Sequence, residues 1–538
     1  MLGGLRPRPR SWLAVTVGIA AAWLGLTAVV LAKKPAVSCG TRIPGLVPPA
    51  WPGAHRELVP PGAVAGQVCL ASAHGRVIRA SGLTQQWARD LAAGLDAIPA
   101  ANPAAPAGCA SASPSEVLVT FGYRTGRVLR VEAELGGCSV VTNGAVFRNA
   151  TGRFDHLIGD LASLSGGSPP PIPALVETRG SPGCSTVTAP QVPLSGIQIT
   201  TVPVPLAPFG IASTPDAKWS FVAFAANQVE VLSDATGTPA PTRVVDVAPR
   251  LFAGASMTPD GRYLLVAGRP GAYVLSAKRL EQGLPRPVVG VLAVPNAVVA
   301  GEPIEVITSP DGRYAFVSVE DSDEIAVFDL HAAIAHGFDQ SAFVGAILLG
   351  RAVVGMAVSP NGKLLYATSE RAADGNQGSL SVINLRDAET RPDEAIQTNV
   401  SAGCGPVRVA VSPDGSTVWV TARGSDALLG FSAAALLRHP SRALRADVPV
   451  GEAPVGLAVV NKGRQVVVAD SDRFNTPHAT PALTLVDVAA ALGHRPAVVG
   501  SLPTGLFPRE ISLESNGTLL VGDFLSRQIQ AINTTELP

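Results

Sequence analysis

A short turn phrase recurs through the last two-thirds of the chain. Ser309-Pro310-Asp311-Gly312, Ser359-Pro360-Asn361-Gly362 and Ser412-Pro413-Asp414-Gly415 are full copies. Thr214-Pro215-Asp216, Thr258-Pro259-Asp260-Gly261, Asn461-Lys462-Gly463 and Ser515-Asn516-Gly517 are weaker ones, seven in all. Pro presets φ at the first corner, Asp or Asn bonds back to its own backbone, and Gly accepts positive φ. Measured at Ala217, Gly261, Gly312, Gly362, Gly415, Gly463 and Gly517, the steps are 44, 51, 50, 53, 48 and 54 residues. A four-stranded propeller blade takes roughly 40–50 residues.

The segments between turns follow one grammar. An apolar run such as Val407–Val411 precedes the turn, and a second β-segment such as Thr417–Ala422 follows it. A polar loop, a third segment such as Glu324–Asp329 and a fourth such as Phe343–Leu349 lead to the next repeat. A single thin sheet cannot bury both faces, whereas sheets stacked radially bury them against each other. The last repeat has only three segments before Pro538, and an orphan segment, Ile197–Val204, stands upstream of the first turn. It is predicted to complete the last blade, because an unpaired edge would otherwise be exposed.

The expected fold class is mainly β: a seven-bladed β-propeller at 196–538, a small α+β domain at 39–167 before it, and an N-terminal membrane-spanning or signal segment at 1–35. Within 39–167, Leu83, Trp87, Leu91 and Leu95 suggest a helix capped by Ser81. Glu116–Tyr123 and Val128–Leu135 read as strands, Asn143-Gly144 as a hairpin turn, and Phe154 to Leu164 as a second helical stripe. Residues 168–195 are rich in Pro, Gly and Ser and read as a linker.

Lys+Arg and Asp+Glu are 41 each, and only 15% of residues are charged, so the basic footprint of a nucleic-acid binder is missing. Arg6, Arg8 and Arg10 precede an uncharged run of 22 residues, Ser11–Ala32, which Lys33 and Lys34 close. About 20 such residues cross a bilayer. The reading is an uncleaved anchor with an extracytoplasmic body, the alternative being secretion after signal cleavage. Six cysteines, Cys39, Cys69, Cys109, Cys138, Cys184 and Cys404, form no CxxC pair, and in an exported chain they suggest disulfides. Four lie in the first third, leaving Cys184 and Cys404 as a possible staple between linker and repeats.

The phrases Gly415-Ser416-Thr417-Val418-Trp419-Val420-Thr421 and Leu364-Leu365-Tyr366-Ala367-Thr368, with Val-Ile-Asn or Val-Phe-Asp after them, resemble the YVTN-repeat propellers. These are similar to bacterial lactonase-like and surface-layer propellers. The lactonase-like resemblance implies a His/Arg/Glu constellation at the channel mouth; Arg and Glu are present there, without a clearly matching His.

The loops after second strands and before first strands should gather on one face, and the turns on the other. The loop face carries the candidate ligand-binding residues Glu302, Arg351, Glu370, Arg408, Arg423, Asp470, Arg509 and Asp523. Both signs converge near the channel, which suits a small polar or anionic ligand; solvated loop charges and salt bridges are the alternative. Asp260, Asp311 and Asp414 are explained by turn chemistry and lack calcium-loop spacing. His331 and His336 stand five apart without a third metal ligand nearby, and His439, His478 and His494 are isolated. No cofactor, haem, Walker, G-x-S-x-G or H-E-x-x-H motif occurs. The expected function is a membrane-tethered, monomeric binding or interaction module for an unknown protein or small polar ligand. A lactonase-like hydrolase and a partner subunit of a periplasmic redox complex are the alternatives.

Overall fold

A computed structural model describes parts of residues 56–149 and residues 172–538 apart from 185–187, 190–191, 235–237, 248–251, 295–301, 372–376 and 474–479. The expected segment 1–35 and the stripe Phe154 to Leu164 lie outside the described residues. Among the described residues no helix is long and apolar enough to cross a membrane.

The first unit is an antiparallel sheet of order β2-β1-β3-β4-β5-β6, formed by Ala63–Ala71 (β1), Val77–Leu83 (β2), Ser115–Tyr123 (β3), Val128–Leu135 (β4), Val140–Thr142 (β5) and Phe147–Asn149 (β6). Asn143 builds the expected hairpin: its Oδ1 accepts from the N–H groups of Ala145 and Val146 at 2.9 and 2.8 Å. One expectation is corrected. Ser81 and Leu83 belong to β2, with Leu83 opposite Gly66, and do not begin a helix. Helical backbone appears later, with buried Ala88, Leu91, Ala92 and Leu95. Pairing with β1 is a non-local contact that local periodicity cannot register. Cys69 is disulfide-bonded, while Cys39, Cys109 and Cys138 lie outside the described residues.

The repeats form seven four-stranded antiparallel sheets. Their first strands are Pro208–Ser213, Phe252–Met257, Pro303–Thr308, Arg351–Val358, Pro406–Val411, Pro454–Val460 and Pro508–Leu513, in blades 1 to 7. Apolar side chains fill the spaces between neighbouring sheets. Leu265 and Val274 of blade 2 pack with Val317 and Phe328 of blade 3, and the fully buried Trp419 of blade 5 packs with Val466 and Val468 of blade 6. Burying each such side chain contributes about 1.5–3 kcal/mol.

Residues from both ends of the repeat region share blade 7. Ile199–Pro203 (β7) pairs with Gln528–Asn533, Ile199 lying opposite Ile532 and Pro203 opposite Gln528. Val202, Leu520 and Ile529 then pack with Val222 and Phe224 of blade 1, which seals the ring.

The repeated turns behave as their chemistry requires. Ser309 Oγ donates to Asp311 Oδ1 at 2.5 Å and accepts from the Tyr314 N–H at 2.9 Å, while Gly312 takes φ of 70°. A Cβ at Gly312 would lie 3.2 Å from Pro259, and one at Gly463 would lie 3.3 Å from Pro413. The turns of blades 2 to 6 therefore each rest on the proline of the turn before. Ser515 Oγ donates to the Pro215 carbonyl at 2.9 Å and joins the turns of blades 7 and 1.

The stretch read as a linker is partly built into the propeller. Val176 N–H donates to Asn399 O at 2.9 Å in blade 4, Ala189 N–H to Val450 O at 2.8 Å after blade 5, and Leu194 N–H to Ser501 O at 2.8 Å in blade 6. Cys184 is bonded to Cys404, with Cα atoms 5.2 Å apart. The segment crosses the outer edges of three blades before becoming the outer strand of the seventh. Its Pro and Gly content suppresses regular structure, but the exposed edges supply partners that composition does not reveal.

Candidate functional site on the propeller axis

Seven residues before the turn position held by Ala217, Gly261, Gly312, Gly362, Gly415, Gly463 and Gly517, the first strands carry Gly210, Gly254, Glu305, Gly355, Arg408, Gly456 and Glu510, one per blade. Glycine is explained by close approach. A Cβ at Gly254 would meet Ile304 O at 2.8 Å, at Gly355 it would meet Val407 O at 2.5 Å, and at Gly456 it would meet Arg509 O at 2.8 Å. Innermost strands of adjacent blades nearly touch there. Blades 3, 5 and 7 depart from glycine, and their three charged side chains meet.

Arg408 Nη2 of blade 5 lies 3.2 Å from Glu510 Oε2 of blade 7, reaching past blade 6. Arg509 Nη1 lies 3.8 Å from the same oxygen. Glu305 Oε2 accepts from the Met356 N–H at 2.9 Å. The Arg509 guanidinium also stacks 3.4 Å from the centroid of the Phe209 ring, a cation–π contact. Beside this group, Arg423 Nη2 donates to Glu370 Oε1 at 2.8 Å. Arg408 and Arg509 are only 6% and 9% exposed, so these pairs interact far more strongly than surface ion pairs do.

Burial raises the Glu305 carboxyl to about 7; Arg408 opposes the shift and Glu510 reinforces it. Burial works against the charge on Arg408, but Glu510 and Glu305 outweigh it and hold its pKa above the usual arginine range. Burial, aided by Arg408, pulls Arg509 down to about 9. The axis thus gathers two nearly buried guanidinium groups, Arg408 and Arg509, around Glu510, beside a Glu305 carboxyl that burial has raised to about 7.

A hydroxyl on the second strand ties the axis of blades 3, 4 and 5 together. Ser318 Oγ accepts from the Glu305 N–H at 3.0 Å and donates to Val354 O at 3.0 Å in the next blade. Thr368 does the same between Gly355 and Val407, and Thr421 between Arg408 and Val455. These are the Ser or Thr positions of the repeat phrase, here acting as inter-blade bridges.

The other candidate residues fall elsewhere. Glu302 sits on the rim, 3.9 Å from Arg269, and both side chains are exposed. Arg351 is exposed at the start of its strand. Asp470 is buried and accepts from Thr484 Oγ1. Asp523 is buried and accepts from the Gly505 N–H at 2.9 Å and from Gln528 Nε2 at 2.7 Å, so it braces the loop into blade 7. Glu305 was not among the candidates, because it lies inside a β-segment rather than in a loop. Aligning the repeats on the last residue of each turn and counting back seven exposes both it and Glu510 as departures from glycine.

His331 and His336 belong to the helix Leu330–His336, which begins beside the turn of blade 3, where the Leu330 N–H donates to Arg313 O. His439 and His494 follow helices in the same place in blades 5 and 6. All four are on the turn face, away from the charged axis; His478 lies outside the described residues. Asp414 is held below the usual carboxylate range by the Ser412 hydroxyl and the Ser416 N–H, in keeping with its turn role.

Residues 255–478 match the family model described as Lactonase, 7-bladed beta-propeller. Among solved structures the chain is similar to Kuenenia stuttgartiensis hydrazine synthase, with 18% identity and a TM-score of 0.48, over 65% of this chain and 99% of that one. No curated protein matches it. The repeat region is thus a seven-bladed β-propeller that resembles the lactonase-like family.

Proposed function

We propose that this chain is an extracytoplasmic binding module that takes a small anion at Arg408 and Arg509 on the propeller axis. The observation that carries the reading is geometric: two nearly buried guanidinium groups share one carboxylate oxygen, at 3.2 and 3.8 Å, and burial raises the nearby Glu305 carboxyl to about 7, which weakens its hold on a negative charge. A bound anion would offset the positive charge of the two guanidinium groups in a site where Coulomb interactions are weakly screened. Calorimetry with a panel of small carboxylates and inorganic phosphate tests it. Binding that Arg509→Ala abolishes is the expected result; a panel without any binder counts against the reading.

A second reading is hydrolysis of a lactone-like substrate. It is favoured by Glu305, whose carboxyl, raised to about 7, suits a general base near neutral pH, and by Arg408, which could stabilise a developing oxyanion. Here Glu305 would take a proton from the attacking water as that water adds to the carbonyl, and would return it to the alkoxide that leaves when the ring C–O bond breaks. Activity on a lactone panel should then rise through about pH 7 and disappear in Glu305→Gln.

The placement outside the cytoplasm is supported by the Cys184–Cys404 bond, since such bonds persist in oxidising compartments. Tethering through residues 1–35 is part of the same proposal. Protease accessibility of the body on intact cells, with resistance to alkaline extraction, is the expected result.

A further inference from the structure

We propose that the ligand is an amphiphilic anion, with a carboxylate that meets Arg509 and an apolar or aromatic body that lies on a phenylalanine and leucine wall of blades 7 and 1. This rests on the anion-binding reading above and adds the chemical class of the ligand.

The wall begins at the guanidinium. Phe209, under Arg509, lies one residue before the axial Gly210 of blade 1. Its ring is 6.1 Å from Phe524, which follows the second strand of blade 7, and Phe524 is 5.4 Å from Phe507, which precedes that blade's first strand. Backbone bonds join the two loops: Phe524 N–H to Phe507 O at 2.9 Å and Leu525 N–H to Leu506 O at 3.1 Å. Leu506 and Leu525 therefore stand together at the outer end, 58% and 62% exposed, more than any other large apolar side chain among the described residues.

Blade 7 is distinct in carrying two large apolar residues there. The corresponding positions hold Ala225-Ala226 in blade 1, Arg269-Pro270 in blade 2, Glu320-Asp321 in blade 3, Glu370-Arg371 in blade 4, Arg423-Gly424 in blade 5 and Ser471-Asp472 in blade 6. Small or polar residues stand there in the other blades, whereas Phe524-Leu525 presents large apolar surface running inward from solvent to a cation. Among the described residues the polar contacts of Arg509 run through Nη1 and are long, 3.5 Å to Phe209 O and 3.8 Å to Glu510. A carboxylate entering along the wall would give this guanidinium a shorter, charge-assisted bond, and its hydrocarbon tail would cover the exposed leucines.

Calorimetry on the full-length protein tests the proposal with acetate, hexanoate, decanoate, phenylacetate and 1-decanol. Decanoate is expected to bind at least about tenfold more tightly than hexanoate, since a few buried methylenes suffice for that. Decanol is expected not to bind, and Arg509→Gln to weaken every carboxylate. Leu506→Ser with Leu525→Ser should collapse the decanoate-to-hexanoate ratio; both side chains are exposed, and an unchanged Tm verifies folding. Equal binding of all carboxylates overturns this inference but leaves the anion reading standing. Binding of phosphate without any carboxylate does the same. Binding of decanol as tight as decanoate, unaffected by Arg509→Gln, also overturns it. If none of these compounds binds, both readings fall.

Discussion

The two ends of the propeller are built on opposite principles. On the turn face, one local contact is repeated, and Gly261, Gly312, Gly362, Gly415 and Gly463 each sit against the proline of the preceding turn. On the axis, four blades keep glycine at one register position while Glu305, Arg408 and Glu510 replace it in the other three. Where the repeat is kept, the residues hold the ring together. Where it is broken, polar groups converge that the fold itself does not need. Departures from the repeat therefore locate chemistry better than the repeat does.

That contrast is sharpest at Arg408. Arg408→Ala is expected to destabilise the propeller by about 3–5 kcal/mol, because it leaves Glu305 and Glu510 buried without their main cation. Chemical denaturation measures this, and a loss under about 1 kcal/mol would mean the axis is wetter than the buried arginines indicate. Gly355→Ala should cost about 2–3 kcal/mol, since its Cβ would press on the backbone of blade 5. A neutral result would show that the axial glycines are not packing residues.

Solution pH separates the regions further. Glu305, Glu324 and Glu230 are raised by burial to about 7, and Asp523 to about 6. The native chain thus keeps protons that the unfolded chain has already released. Stability should be fullest near the unfolded carboxyl values and fall as pH rises through 6 to 7. A drop of a few degrees in Tm between about pH 5 and pH 8 is expected; a rise would contradict the burial of these groups. Asp216 and Asp414 on the turn face are lowered, by the Thr214 and Ser412 hydroxyls first, so their contribution is lost only on further acidification. The smallest effect belongs to Gly312→Ala, about 1–2 kcal/mol for forcing a side chain into left-handed backbone. A loss as large as that of Gly355→Ala would erase the distinction between the faces.

Much of the propeller was legible because its signals are local. The Ser309 to Gly312 turn needs only neighbours within five residues, and Ile197–Val204 was identifiable as the missing strand by counting. The sheet unit was read less well: Ser81 and Leu83 have helical spacing, yet they pair with the distant strand β1. The site was half legible. Arg408 and Arg509 stand out as charges beside apolar runs, but nothing near Asp470 or Asp523 in the chain reveals that they accept bonds from Thr484 and Gly505.

Sequence alone determined the number of sheets, the turn that separates them and the pairing of the two ends, because each depends on short-range backbone preferences and on hiding strand edges. Only the tertiary structure decided which charges would meet. Glu305, Arg408 and Glu510 are spread over more than two hundred residues of chain, and ring closure alone brings them to one axis. It likewise laid a Pro- and Gly-rich segment along three blades and joined Cys184 to Cys404, since edge pairing depends on which surfaces the fold leaves open.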